Sequence, residues 1–407
     1  MKNKKEREFL NEISDSDSVD SESSESYSEF IDDWNEVFNE NQSNKYKVLS
    51  LFSGIGGMDM GFVGDVIVHR DSIKENEFKN TNSNTDIKDF IKLIPNNFEI
   101  VFQNDILEGA KKIYELNNPT HKKNYIINSI NDLLQNNYNF PNSDIVIGGF
   151  PCTDWSHAGK RLGFKSTKSH NLIDNATEEN NRGTLYKSFV EVVKRVKPKI
   201  FVAENVYGLL TMEGEPIKQI INDFEKVGYD TQYELIKANE YGIPQKKWRV
   251  IIIGISKDRK IKNLELKWNN LTKNKITCSL GKYFEHLKEP NETKDIAQQL
   301  YSKAAKLEKG QGQTEVDLNS FGPTIRAEHH GNIEFRRHKN TINKNESNLP
   351  ERRLTVREAG LIQTFPPNYI FTIKNEMTSY TYIGNAVPPL LAYLIANKVE
   401  ELLRKYF

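Results

Sequence analysis

The sequence predicts an α/β fold, an open sheet flanked by helices, followed by a smaller and irregular region. Three observations carry this expectation. Short apolar runs rich in β-branched residues recur at Val48 to Phe52, Ile145 to Ile147 and Lys199 to Val206, and each reads as a strand buried on both faces. These runs end on glycine or polar residues, which places chemistry at the strands' carboxyl ends, where open α/β sheets hold their ligands. From about Ile255 to Pro350 the strand and helix pattern stops, and the chain becomes irregular, basic and polar.

A chain of 407 residues can bury a large core and suggests one large domain with a smaller second one. Its two cysteines argue against a disulfide scaffold, and the spacing of Cys152 and Cys278 suggests no metal site. There is no apolar run of about twenty residues and no signal-peptide core, so a soluble cytoplasmic protein without membrane contact is expected. The formal net charge is zero, but residues 1–45 carry −8 and residues 46–407 carry +8. A basic folded part suits a polyanionic partner.

In chain order, Ser14 to Glu29 is almost entirely Ser, Asp and Glu and is expected to stay disordered, while Phe30 to Phe38 has the pattern of a short amphipathic helix. Lys47 to Phe62 (KVLSLFSGIGGMDMGF) reads as a strand, a glycine-rich turn over Ser53 to Gly57 and a helix start. Residues 64–98 are polar and Asn-rich, the signature of a surface excursion. A second strand, Glu99 to Gln103, leads to Asp105, a carboxylate suited either to two ribose hydroxyls or to capping the next helix. A third strand ends near Asn128, Ser129 and Ile130.

The central stretch is Asp144 to Phe164 (DIVIGGFPCTDWSHAGKRLGF). Gly148 and Gly149 end a buried strand, and Pro151 stiffens the backbone immediately before Cys152, so a thiol is set on a rigid turn at the carboxyl edge of the sheet. Arg182-Gly183-Thr184-Leu185 opens a helix through Lys197. Lys199 to Val206 (KIFVAENV) delivers Glu204 and Asn205 at a strand end, where a glutamate is costly unless partnered or working. Tyr241 to Gly254 (YGIPQKKWRVIIIG) is another strand. Gly322 to Lys339 concentrates Arg326, His329, His330, Arg336, Arg337 and Lys339 among turn-forming residues. Arg352 to Pro366 is helical in period, and Tyr382 to Pro389 (YIGNAVPP) precedes an apolar helix from Leu390 to Leu403.

Taken together, these segments resemble, in content and order, the motifs of DNA (cytosine-5) methyltransferases of the bacterial restriction-modification type. The resemblance covers nearly all of residues 46–407. It implies a Rossmann-like, S-adenosylmethionine (SAM)-dependent catalytic domain with a mixed sheet over 46–254, a target-recognition domain over 255–350, and a segment 351–407 returning to the catalytic domain. Carried over, Cys152 is the nucleophile, helped by Pro151, Glu204, Asn205 and Arg249, the last a partner for the flipped base or for Glu204. Phe52, Ser53, Gly54, Ile55, Gly56, Gly57, Asp105, Ile106, Ile130, Pro151, Leu185, Asn385 and Val387 would form the cofactor pocket, with Ser129 or Asp132 accepting the adenine amine. Ser156, Lys160, Arg161, Arg326, His329, His330, Arg336 and Arg337 would meet duplex DNA. The chain departs from the family at Thr153, where Gln is usual, and at Trp248, where Glu is usual. A monomer acting beside a separate cognate endonuclease is expected. The competing readings are a tRNA methyltransferase of the same fold and a DNA-binding protein that has lost turnover.

Overall fold

The computed structural model describes residues 45–74, 85–119, 124–151, 185–259, 277–304, 312, 314–327, 333–338, 341–371 and 375–407. Tyr46–Phe407 forms one compact unit. Its frame is a seven-stranded sheet built from β1 (Tyr46–Leu51), β4 (Phe98–Asp105), β5 (Tyr125–Ile127), β6 (Ile145–Gly148), β7 (Ile200–Val206), β8 (Tyr229–Lys237) and β9 (Trp248–Ser256), in the order β5-β4-β1-β6-β7-β9-β8. The first five strands in that order are parallel, while β9 runs antiparallel to both β7 and β8, so the sheet is mixed as expected. The connections go outwards to opposite sides from β1 and β6. That pair is the topological switch point, and the crevice beyond its carboxyl ends is where the fold opens to a ligand.

Alternation along the strands divides the core into two layers. Val48, Ile145, Ile147, Val202 and Ile253 face one side, where they pack with α1 (Gly57–Val63) and the C-terminal helix Pro389–Tyr406. Leu49, Leu51, Val146, Phe201 and Ile252 face the other side, against helices Leu185–Val196 and Pro216–Lys226. The first helix and the C-terminal segment meet closely: a Cβ at Gly61 would lie 2.3 Å from that of Ala392, and one at Gly57 would lie 2.4 Å from the Val387 carbonyl oxygen. Small residues there let the glycine-rich turn and the C-terminal segment build one wall.

Two parts differ from the sequence expectation. The 64–98 segment is not only a surface excursion: β2 (Ile67–His69) pairs antiparallel with β3 (Phe90–Lys92), and Val66, Val68, Phe90, Ile91 and Leu93 are buried. Helix Pro216–Lys226 and β8 were not among the expected elements. β8 is an edge strand with Asp230, Gln232 and Glu234 along it, so it lacks the apolar run that betrays a central strand. Beyond β9, short helices Leu280–Phe284 and Ile296–Gln299 and the pair β10 (Phe335–Arg337) with β11 (Arg352–Arg353) share a core with Ile55 and Ile113 of the sheet region. No helix among the described residues is long and apolar enough to cross a membrane.

Candidate active site

At the switch point lies a cavity of about 910 Å³, near the upper end of the usual range for small-molecule sites. The turn after β1 forms its floor. Phe52 is held at φ 54°, a left-handed conformation rare for a bulky residue, and Gly54 and Gly56 also have positive φ. Several bonds hold this backbone: Ser53 N–H donates to the Asn104 carbonyl (2.9 Å), the Tyr125 hydroxyl to the Gly54 carbonyl (2.8 Å) and the Tyr369 hydroxyl to the Ile55 carbonyl. A Cβ at Gly56 would collide with the Tyr114 ring at 2.5 Å, whereas one at Gly54 would meet nothing within 4 Å. The open space over Gly54 is a cradle that a ligand can enter.

Asp105 ends β4 beside this turn. Its Oδ2 accepts the Gly54 N–H (2.9 Å), and its Oδ1 accepts those of Ile106 (2.8 Å) and Leu107 (3.0 Å). Burial pushes this carboxyl above its usual range, against the opposing pull of those three N–H groups. Asp105 lines the cavity, and its bonds to the Ile106 and Leu107 N–H groups stop short of helix Glu108–Asn117, which has no side-chain cap, so the capping alternative is not what the structure shows. Phe52, Ser53, Gly54, Ile55, Gly57, Ile106, Ile130, Leu185, Asn385 and Val387 line it too. Ser129 and Asp132 do not; the Ser129 hydroxyl caps helix Ile130–Gln135 by accepting the Asn131 N–H. An open glycine cradle, a carboxylate and apolar walls together fit a ligand with the mixed polar and apolar character of SAM.

The opposite wall comes from β6, β7 and β9. Pro151 lines the cavity, and Cys152, Ser156, Lys160 and Arg161 follow it outside the described residues, as do His329 and His330. Glu204, only 8% exposed, receives Arg249 Nε at 2.6 Å on its Oε1. Of the two partners the sequence left open for Arg249, the structure pairs it with Glu204. Glu204 Oε2 has no hydrogen-bond partner among the described residues and lies where a Cβ on Gly149 would come within 2.8 Å, so Gly149 makes room for it. Asn205 is fully buried, away from the cavity wall; its Nδ2 donates to the Phe150 carbonyl (3.2 Å) and its Oδ1 accepts the Val206 N–H (2.8 Å). It acts on the turn that carries Pro151, and direct chemistry by its side chain is thereby corrected to a positioning role. The other cysteine, Cys278, is buried, and burial pushes its thiol up to about 12, which makes it a poor nucleophile.

Arg326 lines the cavity. Arg336 and Arg337, expected at DNA, are instead 7% and 1% exposed and committed to carboxylates: Arg336 to Glu346, and Arg337 to Glu289 (2.5 Å) and Glu346 (3.2 Å). Enclosed guanidinium groups with such partners cannot reach a phosphate in this conformation, so their role here is structural. Sequence reasoning did not single out Tyr207, Lys237 and Lys246 as cavity-lining residues, and it left Trp248 unexplained.

Residues 46–401 match the family model of the C-5 cytosine-specific DNA methylase. The chain is 32% identical to the type II methyltransferase M.BsuRI of Bacillus subtilis over 88% of this chain and 80% of that protein. It is 29% identical to the type II methyltransferase M.BspRI of Lysinibacillus sphaericus, over 90% and 84%. Among solved structures, the Dnmt2 methyltransferase of S. pombe superposes with a TM-score of 0.58 at 18% identity, covering 88% of this chain and 99% of that one, a likeness of fold. The family match spans the glycine-rich turn, the Glu204 strand and the C-terminal wall alike, and the chain belongs to the C-5 cytosine-specific DNA methylases.

Proposed function

We propose that this DNA (cytosine-5) methyltransferase modifies one short duplex sequence within a restriction-modification system, through a covalent adduct between Cys152 and a flipped-out cytosine. The observation that carries the reading is Glu204, paired with Arg249 at Oε1, on the wall of the cavity that also holds Pro151 and the glycine cradle.

Cytosine C5 is too weak a nucleophile to be methylated directly at a useful rate. In the proposed reaction the Cys152 thiolate adds to C6, and the electron pair displaced from the C5–C6 bond makes C5 enamine-like. Glu204 delivers a proton to N3, which absorbs the charge, while Arg249 fixes the carboxyl group's orientation. SAM, the family's methyl donor, supplies a sulfonium-activated methyl group to C5 when bound. Loss of the C5 proton to a solvent base, departure of Cys152 as the thiolate and return of the N3 proton to Glu204 then restore the aromatic ring, with S-adenosylhomocysteine as the other product. A free thiol has a pKa of about 8.5, so positive charge near Cys152 must raise its thiolate fraction. The target atoms lie inside the duplex, and extruding the base costs about a few kcal/mol, which contacts with the DNA must offset.

In this reading residues 255–350, with Arg326 at the cavity, select the target sequence, and a separate endonuclease is protected against. The test is Cys152→Ser. It is expected to bind SAM and DNA like the wild type and to transfer no methyl group above background. Turnover near wild type would remove Cys152 from the mechanism.

A further inference from the structure

Trp248 stands where the family carries an acid, one residue before Arg249. Large apolar side chains at a surface are normally turned inward or scattered singly, yet Trp248 is 41% exposed on the rim of the active-site cavity. It is also held in place. The Tyr207 ring meets it edge to face at 5.2 Å and 75°, and Lys237, its cross-strand partner on β8, sits 5.0 Å from the indole centroid. Tyr207 follows the Glu204 strand directly, so this aromatic pair and the Glu204–Arg249 pair come from the same two strand ends. Lys237 and Lys246 both lie on the cavity wall, with Glu240 between them in the chain, and bring two ammonium groups to it.

We propose that Trp248, braced by Tyr207, is a stacking ledge for a nucleobase neighbouring the target cytosine, and that Lys237 and Lys246 hold the adjoining phosphates. An aromatic face beside an ammonium group is the chemistry that receives an unstacked base and its backbone. A carboxylate at this position would repel the phosphates, whereas an indole removes that repulsion and adds a surface for a base exposed when its neighbour leaves the stack. Trp248 is thus a positioning residue for the DNA strand, and this role rests on the functional reading above.

The experiment measures methyl transfer from labelled SAM to sheared, unmethylated genomic DNA for the wild type, Trp248→Ala, Trp248→Leu and Trp248→Phe. Trp248→Ala is expected to raise KM for DNA about ten-fold with KM for SAM unchanged, and Trp248→Phe to stay within about three-fold of the wild type, because any aromatic face can stack. A wild-type KM for DNA in Trp248→Ala, or an equal rise for DNA and SAM, would overturn the ledge. If Trp248→Ala fails to fold, Leu against Phe decides, since both keep apolar contact with Tyr207 and only Phe keeps a ring; equal KM values for DNA would refute the proposal. A wild type that methylates no DNA would refute the functional reading instead. The ledge is then judged by binding of the same DNA, end-labelled with a fluorophore, and equal affinity in Trp248→Ala and wild type would overturn it.

Discussion

Glu204 with Arg249 and Glu358 with Arg352 are the same chemical pair in opposite settings. Glu204 is paired with Arg249 at Oε1, and no described residue donates a hydrogen bond to its Oε2, on a cavity wall. Glu358 has both oxygens engaged: Arg352 reaches each of them, at 2.8 and 2.9 Å, and the Thr355 N–H adds a third bond at 2.8 Å. Arg352 in turn touches Glu289, which also binds Arg337, so the charges close into a network joining β10, β11 and helix Val356–Ile362. A buried carboxylate with an oxygen open to a cavity can do chemistry, and one with both oxygens taken up by buried donors holds structure. Burial alone does not separate the two.

Substitution at each pair should separate rate from stability. Glu204→Gln keeps the shape and removes the proton carrier; methyl transfer is expected to fall about 10²- to 10⁴-fold with DNA and SAM affinity near wild type, measured by single-turnover kinetics. A stability loss without a rate loss in the folded protein would show that Glu204 belongs with Glu358.

Glu358→Gln should do the reverse. It leaves Arg352 in the interior with half its compensation gone, and a loss of about 3–5 kcal/mol is expected in denaturant unfolding, with kcat of the folded enzyme preserved. Burial by itself would raise the Glu358 carboxyl, but Arg352 outweighs it, helped by Arg336 and the Thr355 N–H, and holds it at about 2. A depressed folded-state pKa stabilises above the unfolded value and loses that contribution as pH falls. The wild type should therefore shed more stability than Glu358→Gln between about pH 4.5 and pH 2.

The smallest effect is at the helix cap beside this network. Thr355 and Glu358 form a reciprocal capping box, and Thr355 also donates to Gln298 at 2.7 Å. Thr355→Ala is expected to cost about 1–2 kcal/mol and to leave methyl transfer unchanged.

These contrasts also mark what could be read from residue order. The Gly-Gly-Phe-Pro run, the glycine-rich turn and the Glu204 strand were legible because local residue types dictate a strand end and a stiff turn. The long-range partners were not. Arg337 meets a carboxylate 48 residues away and Arg352 one 63 residues away, and no local pattern tells such an arginine from one that faces solvent or DNA. Asn205 was singled out beside Glu204, but only the fold shows that it holds the Phe150 carbonyl. The 64–98 hairpin was hidden because its apolar residues flank a long polar stretch, and β8 because an edge strand can be polar. Trp248 had no signal beyond being out of place in its motif; Tyr207 and Lys237 give it a setting.

The most direct measurement is methyl transfer from labelled SAM to unmethylated genomic DNA, with the product mapped base by base, using wild type and Glu204→Gln in parallel. The expected result is 5-methylcytosine at one short duplex sequence, strongly reduced in Glu204→Gln. No transfer to DNA from a wild type that binds both SAM and DNA, or transfer to tRNA alone, would contradict the account.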